Sequence, residues 1–334
     1  MPDIRLPYLL YLGDAGPEFG AKTAQGVLHW RPEVCLAQAR LPGCAVDLRL
    51  KDLSFSEAVE RGARTLLIGV TNRGGVLPQH WIPHLEEAVK AGLDIASGLH
   101  ERLADVPELA RAAADFGRQL HDVRHPPANL PLATGAKRTG KRVLMIGTDC
   151  AVGKKFTALA VHAEMERRGL AATFRPTGQT GVLIAGSGIA LDAVPGDFIA
   201  GCAEALSPDA PTDHWDVFEG QATVLHPTFA AVTTGLIHGS QPDALVLCHQ
   251  AGRLEMRGLS GRALPSLRET IDAHLAAAQL TNPGAKCVGV SLNTNDLSER
   301  DAHRAIAEAS AEVALPATDP VRFGAGALVD ALID

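Results

Sequence analysis

The run Gly147-Thr148-Asp149-Cys150-Ala151-Val152-Gly153-Lys154-Lys155 has the residue types and spacing to hold a phosphate. It follows the apolar stretch Val143-Leu144-Met145-Ile146 and precedes a helix-like segment, Phe156 to Arg168. In a strand, glycine-bounded loop, lysine and helix, backbone N–H groups point into the loop. The helix N-terminus adds partial positive charge, and the lysine neutralises the anion. The phosphate-contacting set is therefore Gly147, Thr148, Cys150, Val152, Gly153, Lys154 and Lys155. Two departures matter. The loop holds five residues between its glycines instead of four, and Lys155 stands where a Ser or Thr hydroxyl normally ligates Mg²⁺ beside a nucleotide. The run specifies phosphate without specifying ATP hydrolysis. Cys150, at a helix N-terminus, is either a thiol of lowered pKa able to act as a nucleophile or a small residue that fills the loop.

Other chemistry-bearing residues follow apolar strand-like runs. Asp216-Val217-Phe218-Glu219-Gly220 ends on an acid that could hold Mg²⁺ or take a proton, or could be a solvated edge carboxylate. Cys248-His249-Gln250-Ala251-Gly252-Arg253 offers an imidazole that titrates near neutrality and a guanidinium that could clamp a carboxylate or phosphate. Asn293-Thr294-Asn295 could read a purine edge or form a simple turn. The cluster Pro176 to Gly188 reads as a functional loop: Thr177, Gln179 and Thr180 supply polar groups, and glycines let backbone approach a ligand. In the first half Lys22, Arg31, Arg40, Arg73 and His100 lie at or near strand ends and could meet a substrate carboxylate.

These groups need a scaffold of alternating strands and helices. With 334 residues, two domains are expected. Hydrophobic residues make up 46% and aromatics only 4%, a small-residue composition that suits close helix–sheet packing. The first half alternates strand-like runs (7–12, 34–36, 65–70, 93–95, 121–123) with helix-like ones (21–30, 84–91 and a long alanine-rich helix over 103–120). Arg124 to Gly140 is polar and proline-bearing, which places the boundary between a domain of residues 1–135 and one of 136–334. Later strands are expected at 143–146, 172–175, 215–218, 244–248 and 287–292, so both halves are α/β with parallel sheets.

Composition excludes several classes. A net charge of −7 and a pI near 6.0 argue against a nucleic-acid binder. Six scattered cysteines with no C-x-x-C pair indicate neither a zinc site nor a disulfide framework, and no metal site is expected. The apolar run Tyr8–Leu12 is too short for a leader or a membrane span, so a soluble, cytoplasmic protein with no membrane partner is expected.

Gly147-Thr148-Asp149 through Val152-Gly153-Lys154, with Glu219-Gly220 and Asn293, resembles the dethiobiotin synthetase branch of P-loop proteins, but Lys155 replaces that branch's threonine. A resemblance to the D-glutamate N-acetyltransferase family, formerly a domain of unknown function, extends over nearly the whole chain. It is carried by Pro7-Tyr8-Leu9-Leu10, Trp30-Arg31-Pro32-Glu33, Arg40-Leu41-Pro42-Gly43-Cys44, Asn72-Arg73-Gly74-Gly75 and Ala96-Ser97-Gly98-Leu99-His100. Thr177-Gly178-Gln179-Thr180-Gly181, Asp192-Ala193-Val194, His214-Trp215-Asp216-Val217 and His238-Gly239 carry it further. The resemblance implies a Rossmann-like N-terminal domain, a P-loop NTPase-like C-terminal domain, and acetyl transfer from acetyl-CoA to the amine of D-glutamate or a similar amino acid. Acetyl-CoA is then a co-substrate, and ATP with Mg²⁺ is disfavoured by Lys155. Glu219, His249 and Asp149 are the candidate proton-transfer groups. Arg73, Arg175 and Arg253, with Thr177, Gln179 and Thr180, are the candidate substrate contacts. A homo-oligomer is expected. An ATP-dependent ligase or kinase, and a nucleotide-binding switch without chemistry, are the alternatives.

Overall fold

The structure is a computed structural model, and residues 3–16, 20–70 and 75–334 are described. The chain forms two compact units. One comprises 1–127 with 178–193, the other 128–177 with 194–334. The first unit contains β1 (Tyr8–Gly13), α1 (Lys22–Trp30), β2 (Cys35–Arg40), α2 (Phe55–Glu60), β3 (Thr65–Ile68), α3 (Ile82–Ala91), β4 (Asp94–Ser97), α4 (Pro107–Phe116) and β5 (Leu120–Asp122). The five strands are parallel in the order β2-β1-β3-β4-β5. Every residue of β1, β3 and β4 is buried, which is why these strands read as unbroken apolar runs and not as alternating ones.

The second unit begins with β6 (Lys141–Gly147), α5 (Lys154–Arg167) and β7 (Ala172–Arg175). The chain then contributes α6 (Gln179–Ala185) to the first unit. It resumes the second with α7 (Ile199–Ala205), β8 (Trp215–Phe218), α8 (Ala230–Ser240), β9 (Ala244–Gln250), α9 (Leu267–Gln279), β10 (Lys286–Asn293), α10 (Glu299–Val313), β11 (Ala317–Thr318) and α11 (Gly326–Ile333). This six-stranded sheet is also parallel, in the order β11-β10-β9-β6-β8-β7. No described helix is long and apolar enough to cross a membrane.

Two expectations change here. The helix expected over 103–120 is confined to Pro107–Phe116, with a 3₁₀ turn at Leu103–Asp105 before it. Pro107 fits only the first turn, and Gly117, at φ +61°, ends the helix in the left-handed conformation. The glycine cluster expected as a functional loop instead contains α6, whose Val182, Leu183 and Ile184 are 0%, 0% and 2% exposed. That helix places 178–193 with the first unit, so the chain passes between the units at 127/128 and on either side of this segment. Tyr8 Oη donates to Leu183 O at 2.9 Å, Ile4 N to Gly186 O at 3.1 Å, and Arg124 pairs with Asp192 at 3.0 Å, all within the first unit.

In the second unit α9 starts at a capping box of Ser266 and Glu269 and carries His274, which is 0% exposed. Its Nδ1–H donates to Thr270 O at 2.7 Å, and Nε2 accepts from Val224 N at 3.3 Å, so one imidazole ties the loop after β8 to α9. Burial pushes its pKa down to about 4. The unfolded chain therefore takes up this proton first as pH falls through ~6.5. Stability is lost between that pH and ~4, by up to about 3 kcal/mol. Denaturant titrations at pH 7 and pH 4.5 should show a larger loss for the wild type than for His274→Leu; equal losses would contradict a buried neutral imidazole.

Candidate functional site

β6 is hydrogen-bonded on one side to β8 and on the other to β9, so the loop after it lies where the connections diverge. Open α/β sheets bind ligands at such a point. Ala151 at φ +54° and Gly153 at φ +112° turn the backbone into a concave nest leading into α5. The first N–H groups of α5 have no partners within the helix. A Cβ at Gly147 would lie 2.9 Å from Val152 Cγ2 and 3.0 Å from Lys154 Nζ, so a side chain here would have to displace both. Lys154 is 6% exposed, and Nζ donates to Asp149 O at 2.6 Å. Burial lowers its pKa, so a phosphate would restore a full counter-charge to a desolvated ammonium.

Lys155 also has its pKa lowered by burial, and Nζ sits 4.9 Å from the centre of the Phe156 ring. The next hydroxyl along α5, on Thr157, donates to Gly153 O at 3.2 Å and lies 2.7 Å from Ser291 Oγ. It is used by the scaffold. Thr148 Oγ1 lies 3.0 Å from His249 Nδ1, and burial, then Arg253, pushes His249 down to about 4. His249 is thus a neutral ring committed to the loop.

Asp149 is the centre of the site. Its side chain is fully buried, and Oδ2 accepts from Arg257 N at 2.7 Å and Arg253 Nη1 at 3.2 Å. Among the described residues Oδ1 has no hydrogen-bond partner. It faces Nε2 of His226 at 3.8 Å, and that atom, in a residue 2% exposed, is likewise unpartnered. Nδ1 of His226 accepts from Thr228 N at 3.1 Å and Phe229 N at 3.3 Å, which puts the ring proton on Nε2. The site therefore presents a buried N–H donor and a buried carboxylate acceptor side by side.

Asp149, Cys150 and His226 bring potential ligand atoms within 4.8 Å of one another. A metal on Nε2 would need the proton on Nδ1, where two backbone N–H groups already point, and Arg253 neutralises Asp149. The donor set does not suit a metal ion. Burial raises the Cys150 pKa, so the thiol is not activated as a nucleophile.

The other expected contacts are distributed. Glu219, 7% exposed, accepts from Thr177 N at 3.2 Å, while Thr177 Oγ1 donates to Glu219 O at 2.7 Å. Thr177 thus belongs to the end of β8. Gln179 and Thr180 open α6 in the first unit, where Gly98 and Gly26 approach them closely. Arg175 Nε donates to buried Asp216 at 2.7 Å, inside a network with Ser207 and Arg142. Arg253 reaches Asp149, Cys150 O at 2.8 Å and Gln250, so it props the phosphate loop. Arg73 lies outside the described residues. His226 was not anticipated from the sequence.

Beside the loop is a recess of about 310 Å³ lined by Val152, Phe156, Asn293, Asn295 and Val321. Buried Asp319 joins its two outer loops: Oδ2 accepts from Thr294 N at 2.9 Å, and Oδ1 from Val321 N at 3.1 Å. Apolar walls with amide groups at one edge suit a flat heterocycle.

A phosphate nest at the switch point of one parallel sheet, with a second parallel α/β unit attached, defines a two-domain P-loop protein. Residues 131–329 match a family model described as a domain of unknown function (DUF1611_C), P-loop domain. Residues 39–126 match its companion, a DUF1611_N Rossmann-like domain. The chain belongs to this family. It is 51% identical over 98% of its length to a D-glutamate N-acetyltransferase of Tritonibacter scottomollicae, covering 99% of that protein. It is 44% identical, with 98% of both chains covered, to a D-glutamate N-acetyltransferase of a Pseudoalteromonas species. The crystal structure of a DUF1611 family protein from Anabaena variabilis superposes with a TM-score of 0.82 at 35% identity, covering 98% of this chain and 99% of that one.

Gly220 gives a direct test of how the site is supported. A Cβ there would lie 1.5 Å from Met145 O and 2.9 Å from Lys154 Cδ. Gly220→Ala should destabilise the protein by about 2 kcal/mol or more. It should also weaken anion binding at the loop; unchanged thermal stability would contradict the close approach of β8 to β6.

Proposed function

We propose that this protein transfers an acetyl group from acetyl-CoA to the amine of D-glutamate. The observation that carries the reading is the match, over 98% of the chain, to two D-glutamate N-acetyltransferases. The site supports it chemically. A phosphate cradle can anchor the pyrophosphate of CoA without hydrolysing anything, and the adjoining recess fits the carrier's adenine ring. ATP chemistry would call on an Mg²⁺-binding hydroxyl after the loop lysine, where this chain has Lys155.

Among the three proton-transfer candidates, Asp149 is favoured. The Glu219 carboxylate takes an N–H from Thr177, and His249 is neutral with Nδ1 against Thr148. Among the described residues Asp149 keeps a buried oxygen without a hydrogen-bond partner. The acceptor ammonium gives one proton to Asp149 Oδ1, and the freed nitrogen lone pair forms a bond to the thioester carbonyl carbon. The C–S bond breaks, the second nitrogen-bound proton goes to the departing sulfur, and N-acetyl-D-glutamate and CoA result. Backbone N–H donors stabilise the negative charge that develops on the carbonyl oxygen.

Mixing the protein with acetyl-CoA and D-glutamate should release one thiol per amide formed, followed with a thiol reagent. Asp149→Asn should lower kcat by about 100-fold or more, with KM for acetyl-CoA little changed. No thiol release across a panel of D- and L-amino acids would overturn the reading.

A further inference from the structure

Between β9 and α9 the chain makes a short hairpin, unnoticed in the sequence, in which Glu255 bridges Ala263 in antiparallel fashion. Met256 N donates to Arg262 O, and Leu264 N to Leu254 O, each at 2.9 Å. The hairpin is fixed to the phosphate loop at its base, because Arg253 and the backbone N–H of Arg257 both hold Asp149. It carries two further cations. The guanidinium groups of Arg257 and Arg262 make no ion pair or hydrogen bond among the described residues. The positive charge of Arg257 acts on the Cys150 thiol, together with those of Lys154 and Arg253. Arg262 lines a recess of about 520 Å³ with Leu225, Met256, Leu264 and Glu269. Leu225 and Met256, which line this recess, are the chain neighbours of His226 and Arg257. The Glu269 carboxylate is already engaged by Ser266 N at 2.8 Å in the helix cap.

Among the described residues, one buried carboxylate oxygen and one buried imidazole N–H here have no hydrogen-bond partner, and two exposed guanidinium groups make no ion pair. They complement one ammonium and two carboxylates. The geometry points to an acceptor subsite for an α-amino dicarboxylic acid, built from Asp149, His226 and the hairpin arginines Arg257 and Arg262. The ammonium meets Asp149 Oδ1. The α-carboxylate meets His226 Nε2–H and Arg257. The side-chain methylenes lie along Leu225 and Met256, and the distal carboxylate meets Arg262. Identifying the occupant as the acetyl acceptor rests on the acetyl-transfer reading; the charge complementarity does not.

Calorimetric titration of D-glutamate and D-glutamine into full-length wild type, Arg257→Ala and Arg262→Ala tests the subsite without requiring turnover. Arg262→Ala should weaken D-glutamate by at least about tenfold and leave D-glutamine within twofold. Arg257→Ala should weaken both. A merely structural role for Arg262 would weaken both ligands equally, and that result overturns the proposal. So does wild-type protein that binds no D-glutamate, or arginine variants that bind it as the wild type does. Thiol release from acetyl-CoA, measured on the same proteins, separates the two ideas. Turnover with arginine variants indifferent to D-glutamate sinks the subsite alone; the predicted binding pattern without turnover sinks the acetyl-transfer reading alone.

Discussion

A carboxylate removed from water must be compensated by its surroundings, and the arrangement of the second unit's loops follows from how Asp149 is compensated. Its Oδ2 takes donors from the segment after β9, Arg253 Nη1 and Arg257 N. Its main-chain oxygen takes the Lys154 ammonium. Its Oδ1 faces His226, delivered by the segment after β8. Three connections that leave the same sheet edge are thereby drawn onto one residue of the phosphate loop. Compensation is incomplete on the Oδ1 side, and an incompletely satisfied buried group is where a ligand's own donors gain most.

Close backbone approach is what allows this convergence. Gly147 and Gly220 lie on neighbouring strands, β6 and the end of β8, and side-chain carbons at either would enter space held by Lys154 or Met145. His274 performs a related task from α9 by accepting from Val224 N, which fixes the segment that carries His226. The phosphate loop is therefore positioned by sheet register and two glycines, and the segment that carries His226 by a helix-borne imidazole.

The local parts of this arrangement were legible in the sequence. Val143–Ile146, the bounded glycines and Lys154 gave strand, loop and helix because each signal lies within a few residues of the next. Ala244–Cys248 and Pro7–Leu12 read as strands without alternation because parallel strands covered on both faces need none. Parts that depend on long-range placement were not legible. His226, Arg257 and Arg262 sit in irregular segments with no periodicity, and they acquire meaning only beside Asp149. Arg175 had the right residue type at a strand end, but buried Asp216 claims it. The segment 178–193 misled in a different way: glycines at 178, 181 and 186 suggested a loop, whereas Gly178 and Gly186 bracket a short helix whose apolar side chains are buried in the first unit. The same glycines concealed the exchange of that segment between units, which a single composition break at 124–140 could not report.

The central claim is that the nest at Gly147–Lys154 holds the phosphates of CoA and not those of a hydrolysable nucleotide. Calorimetric titration of CoA and, separately, of ATP with Mg²⁺ into the full-length protein tests it most directly. The account predicts one CoA per chain, bound at least about tenfold more tightly than MgATP, and weakened at least about tenfold by Lys154→Ala. MgATP bound more tightly than CoA, or CoA binding indifferent to Lys154→Ala, would contradict it.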